Sequence, residues 1–300
     1  MEVKKIDPEA AKKKKEFDPV RAIMIIIFFM LIVWVIWFFV SNLRSGSGKE
    51  VTKEVAKSDA NLAKSSVPTK KVVPPPPPTD SFYKNYVKIN KADGALETYP
   101  EKEYIEVRVV QTNLSAVDIS DWKLVNSKGE SAVIGNSAAL PVGGKVNKTD
   151  ITKVSGNDVL IISTGRSPVG VSFRLNSCTG YFEQFQDFFP PVTGYCPQPS
   201  ANKGFQSLEQ DCRTFVYTIP SCTTNIKPYP SGMSAGCKSF IVTDASYNGC
   251  VAANKDKADF YKTEWRLYLN KDKEMWAQPK DKIMLLDDKG NLVDTYSYGR

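Results

Sequence analysis

The stretch Ala22–Val40, AIMIIIFFMLIVWVIWFFV, holds nineteen consecutive residues without a charge, a proline or a glycine. At about 1.5 Å rise per residue, a helix of that length spans roughly 28 Å, close to the roughly 30 Å hydrocarbon core of a bilayer. A helix of a soluble domain keeps a polar face, and this run has none. It reads as a single transmembrane helix, residues 22–40, behind a cytoplasmic basic tail, residues 1–21. Seven basic side chains precede it (Lys4, Lys5, Lys12 to Lys15 and Arg21) and four follow within twenty residues (Arg44, Lys49, Lys53 and Lys57). That bias favours an N-terminus inside and the rest of the chain outside. A cleaved signal peptide is the competing reading, but its apolar region is shorter, about 7 to 15 residues. Trp34 and Trp37, in the outer half of the run, serve either as interfacial anchors or as packing surface for another membrane helix.

The formal net charge of +7 is concentrated at the front: residues 1–80 hold 14 basic and 9 acidic side chains, and 26 and 24 remain for everything beyond. The downstream part is therefore close to neutral and lacks the dense basic excess of a nucleic-acid binder. Lys12 to Lys15 either meet anionic lipid headgroups or only enforce topology. Residues 41–80, rich in Ser, Gly, Lys, Glu, Ala and Val, carry no apolar period and end in Pro74 to Pro78. That composition describes a disordered tether whose proline run favours extended polyproline II, a stiff spacer or a docking motif.

From residue 81 the pattern changes to short alternating runs with turn residues between them. In EYIEVRVV, Ile105, Val107 and Val109 fall on one face of a strand, and Tyr104, Glu106 and Arg108 on the other. DISDWKLVNSKGE places Trp122 and Leu124 inward before a turn at Lys128-Gly129, and VLIIST from Val159, apolar on both faces, reads as a central strand. EWRLYLN from Glu264 adds a strand, and KDKIMLLDDKGNLVDTYSY from Lys280 forms a hairpin turning at Asp288-Lys289-Gly290-Asn291. The expectation is a mainly β fold, an antiparallel sandwich.

The order of these motifs resembles the lamin-tail domain, an immunoglobulin-like sandwich found in nuclear lamins and in bacterial envelope proteins. The resemblance rests on Glu103-Tyr104-Ile105-Glu106, on Val117-Asp118-Ile119-Ser120-Asp121-Trp122-Lys123-Leu124, on Gly129 followed by Ile134-Gly135, and on Leu285-Leu286-Asp287 with Gly290 and Leu292-Val293-Asp294. It covers about residues 82–165 and 265–300. It implies a structural or interaction role rather than an enzymatic one, with Trp122 in the core. Residues 81–300 are accordingly read as one lamin-tail-like domain with an insertion at about 167–261.

All six cysteines, Cys178, Cys196, Cys212, Cys222, Cys237 and Cys250, lie in that insertion. A motif recurs three times, Cys178…Tyr181-Phe182, Cys212…Phe215-Val216 and Cys237…Phe240-Ile241, a spacing that puts cysteine and aromatic on one helical face. Leu208, Cys212, Phe215 and Ile219 extend the middle stripe, with a capping box at Ser207 and Gln210, and Phe182, Phe185 and Phe189 make a similar stripe before Pro190-Pro191. The repeat suggests local closure: Cys178 with Cys196, Cys212 with Cys222, Cys237 with Cys250. An even, clustered count fits an oxidising compartment. A zinc site is disfavoured, since the insertion has no Cys-x-x-Cys pair and the chain no histidine.

The absence of histidine also removes the commonest general base and the Ser-His and Cys-His nucleophile pairs. Ser200-Ala-Asn-Lys203 matches a Ser-x-x-Lys pattern without its companion motifs, and Asp287 and Asp288 fall where turn chemistry calls for aspartate. No catalytic, cofactor or metal-binding residue is expected. The chain reads as a non-enzymatic, single-pass, membrane-anchored module that presents its domain outside the cell for a protein or envelope-polymer partner. The alternatives are a surface domain that captures nucleic acid and, further off, a carboxylate enzyme acting on glycans.

Overall fold

The computed structural model describes Met30, Leu31 and Trp34, which are helical, and residues 77–110, 116–142, 144–192 and 194–299. Most of the apolar run 22–40, and the tether to residue 76, lie outside the described residues. Among the described residues no helix is long and apolar enough to cross a membrane.

The C-terminal unit, Val73–Arg300, is a mixed α and β structure with more strand than helix. Among the described residues twelve strands run in chain order: β1 Val87–Lys91, β2 Tyr104–Val109, β3 Val117–Asp118, β4 Lys123–Val125, β5 Ser131–Val133, β6 Ser137–Ala138, β7 Lys153–Val154, β8 Val159–Ser163, β9 Ser172–Asn176, β10 Tyr261–Tyr268, β11 Asp281–Leu286 and β12 Leu292–Tyr298. They form a six-stranded sheet in the order β1-β2-β8-β10-β9-β6, a four-stranded sheet in the order β12-β11-β4-β5, and the small pair β3-β7.

One buried cluster joins the two larger sheets. Ile105, Val107 and Val109 of β2, Leu160 and Ile162 of β8, and Trp265 and Leu267 of β10 meet Leu124 of β4, Ile283 and Leu285 of β11 and Val293 of β12. The alternation read from β2 is therefore the one the fold uses, because a strand turns successive side chains to opposite faces. Trp122 is buried against the Tyr83 ring at 5.2 Å between centroids. Both expected turns form: Gly129 and Gly290 each take φ of +83°, a left-handed backbone that glycine adopts without strain. The β11–β12 hairpin pairs Met284 with Thr295 and Leu285 with Asp294, and β8 is central, between β2 and β10.

Two features differ from a purely antiparallel sandwich. Strand β10 runs parallel to β8, and β6 parallel to β9. Strands β8 and β9 follow each other in the chain and run in opposite directions, but β10 lies between them, antiparallel to β9. The long segment between β9 and β10 returns the chain to that slot. It also begins later than its composition suggests, because Ser172–Asn176 is sheet: Asn176 pairs with Tyr261, and the Ser177 amide donates to the Phe260 carbonyl at 2.8 Å. Residues 177–260 form an outsized loop, hereafter the lobe or insertion, between β9 and β10.

Candidate functional site

Strand alternation gives β9 and β10 a second face, pointing away from the cluster shared by the two larger sheets. Phe173, Leu175 and Tyr268 on that face start a separate buried cluster with Tyr181, Phe182, Phe188 and Tyr247 of the insertion. Arg266 stands in the same row as Phe173 and is buried at 2% exposure. Its guanidinium donates to the Pro190 and Pro191 carbonyls and is paired with Glu264 at 2.7 Å. A buried cation is tolerated only when paired and fully hydrogen-bonded. Here the acceptors are main-chain carbonyls of the insertion, so the same contacts fix its seat on the sheet. Burial pushes the Tyr181 and Tyr247 hydroxyls up to about 12, keeping this cluster neutral.

Three helices build the remainder: α1 Gln210–Tyr217, α2 Ala235–Asp244 and α3 Tyr247–Asn254. Ser234 and Ser246 cap α2 and α3, accepting from the amides of Cys237 at 3.2 Å and Gly249 at 3.1 Å. At the α2–α3 corner a Cβ on Gly249 would overlap the Thr243 carbonyl oxygen and the Asp244 backbone, so only glycine allows the two helices to meet so closely. Phe205, Cys212, Val216, Ile219, Cys237, Phe240 and Ile241 form a further buried cluster, between α1 and α2.

All six cysteines are oxidised, but none of the neighbour pairings expected from the repeat forms. The bonds are Cys178–Cys250, Cys196–Cys222 and Cys212–Cys237. The repeat marks faces that pack together, not closures within a copy. Cys212 and Cys237 lie on the facing sides of α1 and α2, 5.7 Å apart at Cα. Cys222 follows α1 with a left-handed backbone, φ of +58°, which turns it toward Cys196. Cys178 at the neck of the insertion meets Cys250 in α3. The first copy is not an α-helix either: it is a 3-10 turn, Thr179–Gln184, after which Phe185 is 59% exposed. No capping box forms at α1, where the first residue outside the helix is Glu209 and the Ser207 hydroxyl instead donates to the Gly204 carbonyl.

Between α1 and the loop that leaves it lie two adjoining hollows, about 540 and 360 Å³, which share Phe215, Thr218 and Pro230. Met233 and the Cys212–Cys237 bridge floor the first; Pro220, Ile226 and Tyr229 wall the second. The Phe215 and Tyr229 rings stand 6.4 Å apart, tilted by 58°. Ile226 is 74% exposed beside them; Glu209 and Asp211 are among the residues lining the first hollow, and Lys227 is among those lining the second. Largely apolar walls with a few charged residues among them suit a ligand held mainly by side-chain packing. Sequence reasoning misses this groove; the alternation Pro228-Tyr229-Pro230 beside an isoleucine is the signal that points to it.

The other candidate residues are dispersed. Ser200 lies in a short 3-10 turn, Pro199–Ala201, whereas Lys203 lines a hollow of about 780 Å³ with Asn202, Asp244 and Asp256. Asp287 is buried and accepts from the Ser81 hydroxyl at 2.7 Å and from the Lys289 and Asn291 amides, tying the turn to the start of the domain. Among the described residues no group of His, Cys, Asp or Glu could hold a metal ion. No protein-family model matches this chain, and a search of curated proteins finds no match.

Proposed function

We infer that this chain is a membrane-anchored, extracytoplasmic interaction module: a basic tail, a single span at residues 22–40, a proline-ended tether, and a lamin-tail-like, immunoglobulin-like sandwich that carries the recognising lobe, residues 177–260. The three disulfides point to an oxidising, extracytoplasmic environment. The lamin-tail reading is supported by where its motif residues lie, with Ile105, Trp122, Leu124 and Leu285 in the common core of the two sheets. Such a sandwich is a scaffold, and its inserts carry function.

The observation that carries the assignment is the apolar groove beside Ile226, on a lobe stapled by three disulfides. The exposed isoleucine beside two aromatic rings and several prolines, on a disulfide-bonded lobe, supports the reading of this groove as the docking surface. The test is photo-cross-linking in intact membranes from single positions of the full chain. Adducts are expected from Ile226 and Tyr217 in the lobe and not from Val133 or Leu96 on the sandwich. Adducts confined to the sandwich positions would reject the lobe as the recognising part.

A further inference from the structure

We propose that the hollow of about 780 Å³ beside the α2–α3 corner binds a neutral saccharide, a unit of an envelope glycan. The hollow lies in the lobe and shares no residue with the groove beside Ile226. It extends the reading of the lobe as the recognising part and is tested apart from that groove. Three observations carry it.

The first is a pair of asparagines whose orientation is fixed. Asn202, just after the 3-10 turn Pro199–Ala201, and Asn254, the last residue of α3, both line the hollow although they are only 9% and 3% exposed. Asn202 Nδ2 donates to Asp244 Oδ1 at 3.2 Å, and Asn254 Nδ2 donates to the Cys250 carbonyl at 2.8 Å. A carboxylate and a carbonyl only accept, so these contacts decide which end of each amide is nitrogen and turn both oxygens elsewhere. Among the described residues neither oxygen accepts a hydrogen bond, and neither is sealed in, since the enclosed side-chain atoms without a partner are Thr164 Oγ1 and Trp276 Nε1. Two ordered acceptors on packed side chains are therefore left for a donor from outside the protein.

The second is room. Gly249, Ala252 and Ala253, three and four residues apart, share one face of α3 and line the same hollow. Side chains no larger than a methyl group leave beside the asparagines a space that longer ones would fill. Its volume falls within the roughly 300–1,000 Å³ of small-ligand sites.

The third is charge. Lys203 and Lys257 line the hollow together with Asp244 and Asp256, so the two signs balance. An anionic ligand would meet two carboxylates and two amide oxygens, and a cationic one two ammonium groups. A ring of hydroxyls suits the whole lining, because each hydroxyl can donate to an asparagine oxygen or a carboxylate and accept from an ammonium group.

The experiment uses the full chain in a detergent without a sugar headgroup and reads binding by saturation-transfer NMR. The probes are maltotetraose, tetra-N-acetylglucosamine and the acidic tetragalacturonate. The expected result is binding of a neutral probe at least about tenfold tighter than the acidic one. The two neutral probes separate hexose glycans from N-acetylated glycans as the source. Ala253→Trp, at an exposed position, fills the hollow and is expected to weaken the neutral probe at least about tenfold. Asn254→Leu removes one acceptor and is expected to weaken it about tenfold. Asn254 is packed, so its variant is read beside Ala253→Trp, which leaves the packed side chains in place. Absence of neutral-probe binding up to about 10 mM would overturn the proposal. So would equal binding of the acidic probe, or neutral binding that Ala253→Trp leaves unchanged. Neutral binding abolished by Ala253→Trp, in a chain that gives no Ile226 adducts, would support this site while rejecting the groove.

Discussion

Buried carboxylates beside the two larger sheets are held by backbone amides and work as fasteners for loops. Glu103, fully buried, accepts from the amides of Met275 at 2.8 Å and Trp276 at 3.0 Å. Asp281 accepts from the Ser127 and Ala277 amides, so Glu103 and Asp281 between them hold the loop before β11. The titrations of Glu103 and Asp287 differ in sign. Desolvation dominates at Glu103 and raises its pKa, whereas at Asp287 the Ser81 hydroxyl and the Asn291 and Lys289 amides outweigh desolvation and lower it. A raised folded pKa means that the contribution of Glu103 is present below its ordinary value of 4.5 and declines as pH rises through the folded value. A lowered one means that the contribution of Asp287 is present above its ordinary value of 3.8 and is lost as pH falls through the folded value. The stability of Glu103→Gln relative to the parent is therefore expected to rise as pH increases from about 4.5 toward neutrality. Asp287→Asn is expected to cost about 1–3 kcal/mol at neutral pH, a deficit that shrinks in acid. Urea unfolding of both variants across that range checks the two slopes; parallel curves for parent and variants would refute the assignment.

At the scale of elements, the lobe depends on close approach as much as on its cystines. Gly249→Ala drives a methyl into the Thr243 carbonyl, so the α2–α3 corner has to open. We expect a loss of about 1–3 kcal/mol, the range for overpacking a tight site, with earlier proteolytic cleavage inside residues 235–254 and none in the sandwich. Uniform loss of protease resistance across sandwich and lobe would contradict an independently packed corner. The same elements show what is legible in the sequence. Strand β2, the Trp122-Leu124 element and the β11–β12 hairpin announce themselves because one buried face imposes period two and the turns need Gly129 and Gly290. Strands β6 and β7 have two residues each, too few to show a period, and β9 hides because Phe173 and Leu175 serve the lobe rather than the common core. The cysteine pattern correctly places Cys212 and Cys237 on apolar helix faces, yet pairing is decided by which faces meet across 25 residues. Local spacing carries no record of that.

Over the whole molecule the two hydrophobic systems have different chemical supports. The cluster between the two larger sheets contains no cysteine, whereas Cys178, Cys196, Cys212, Cys237 and Cys250 are all buried in the two lobe clusters. The bonds also nest: Cys178–Cys250 spans 72 residues and encloses the other two, of 26 and 25, which cross each other. A loop of about 25 residues closed by a disulfide is worth about 3.5 kcal/mol in the chain-entropy account, and the enclosing bond somewhat more. A lobe of short helices cannot replace that stabilisation from its small clusters alone. Reduction is therefore expected to unfold residues 177–260 and leave the two larger sheets standing. Strand β9 is the boundary. Its neighbours are β10 and the two-residue β6, and its Phe173 and Leu175 lose their covering when the lobe opens. Strands β2 and β8 keep Ile105, Val107, Leu160 and Ile162 in the shared core whatever the lobe does. Hydrogen exchange on the full chain, with and without a phosphine reductant, reads this directly. Peptides from residues 205–254 should exchange within seconds to minutes after reduction, those covering β9 should follow, and those covering β2, β8 and β11 should stay protected. If the core strands lost protection together with the lobe, the two would be one cooperative unit and the cystines a support for the sandwich as well.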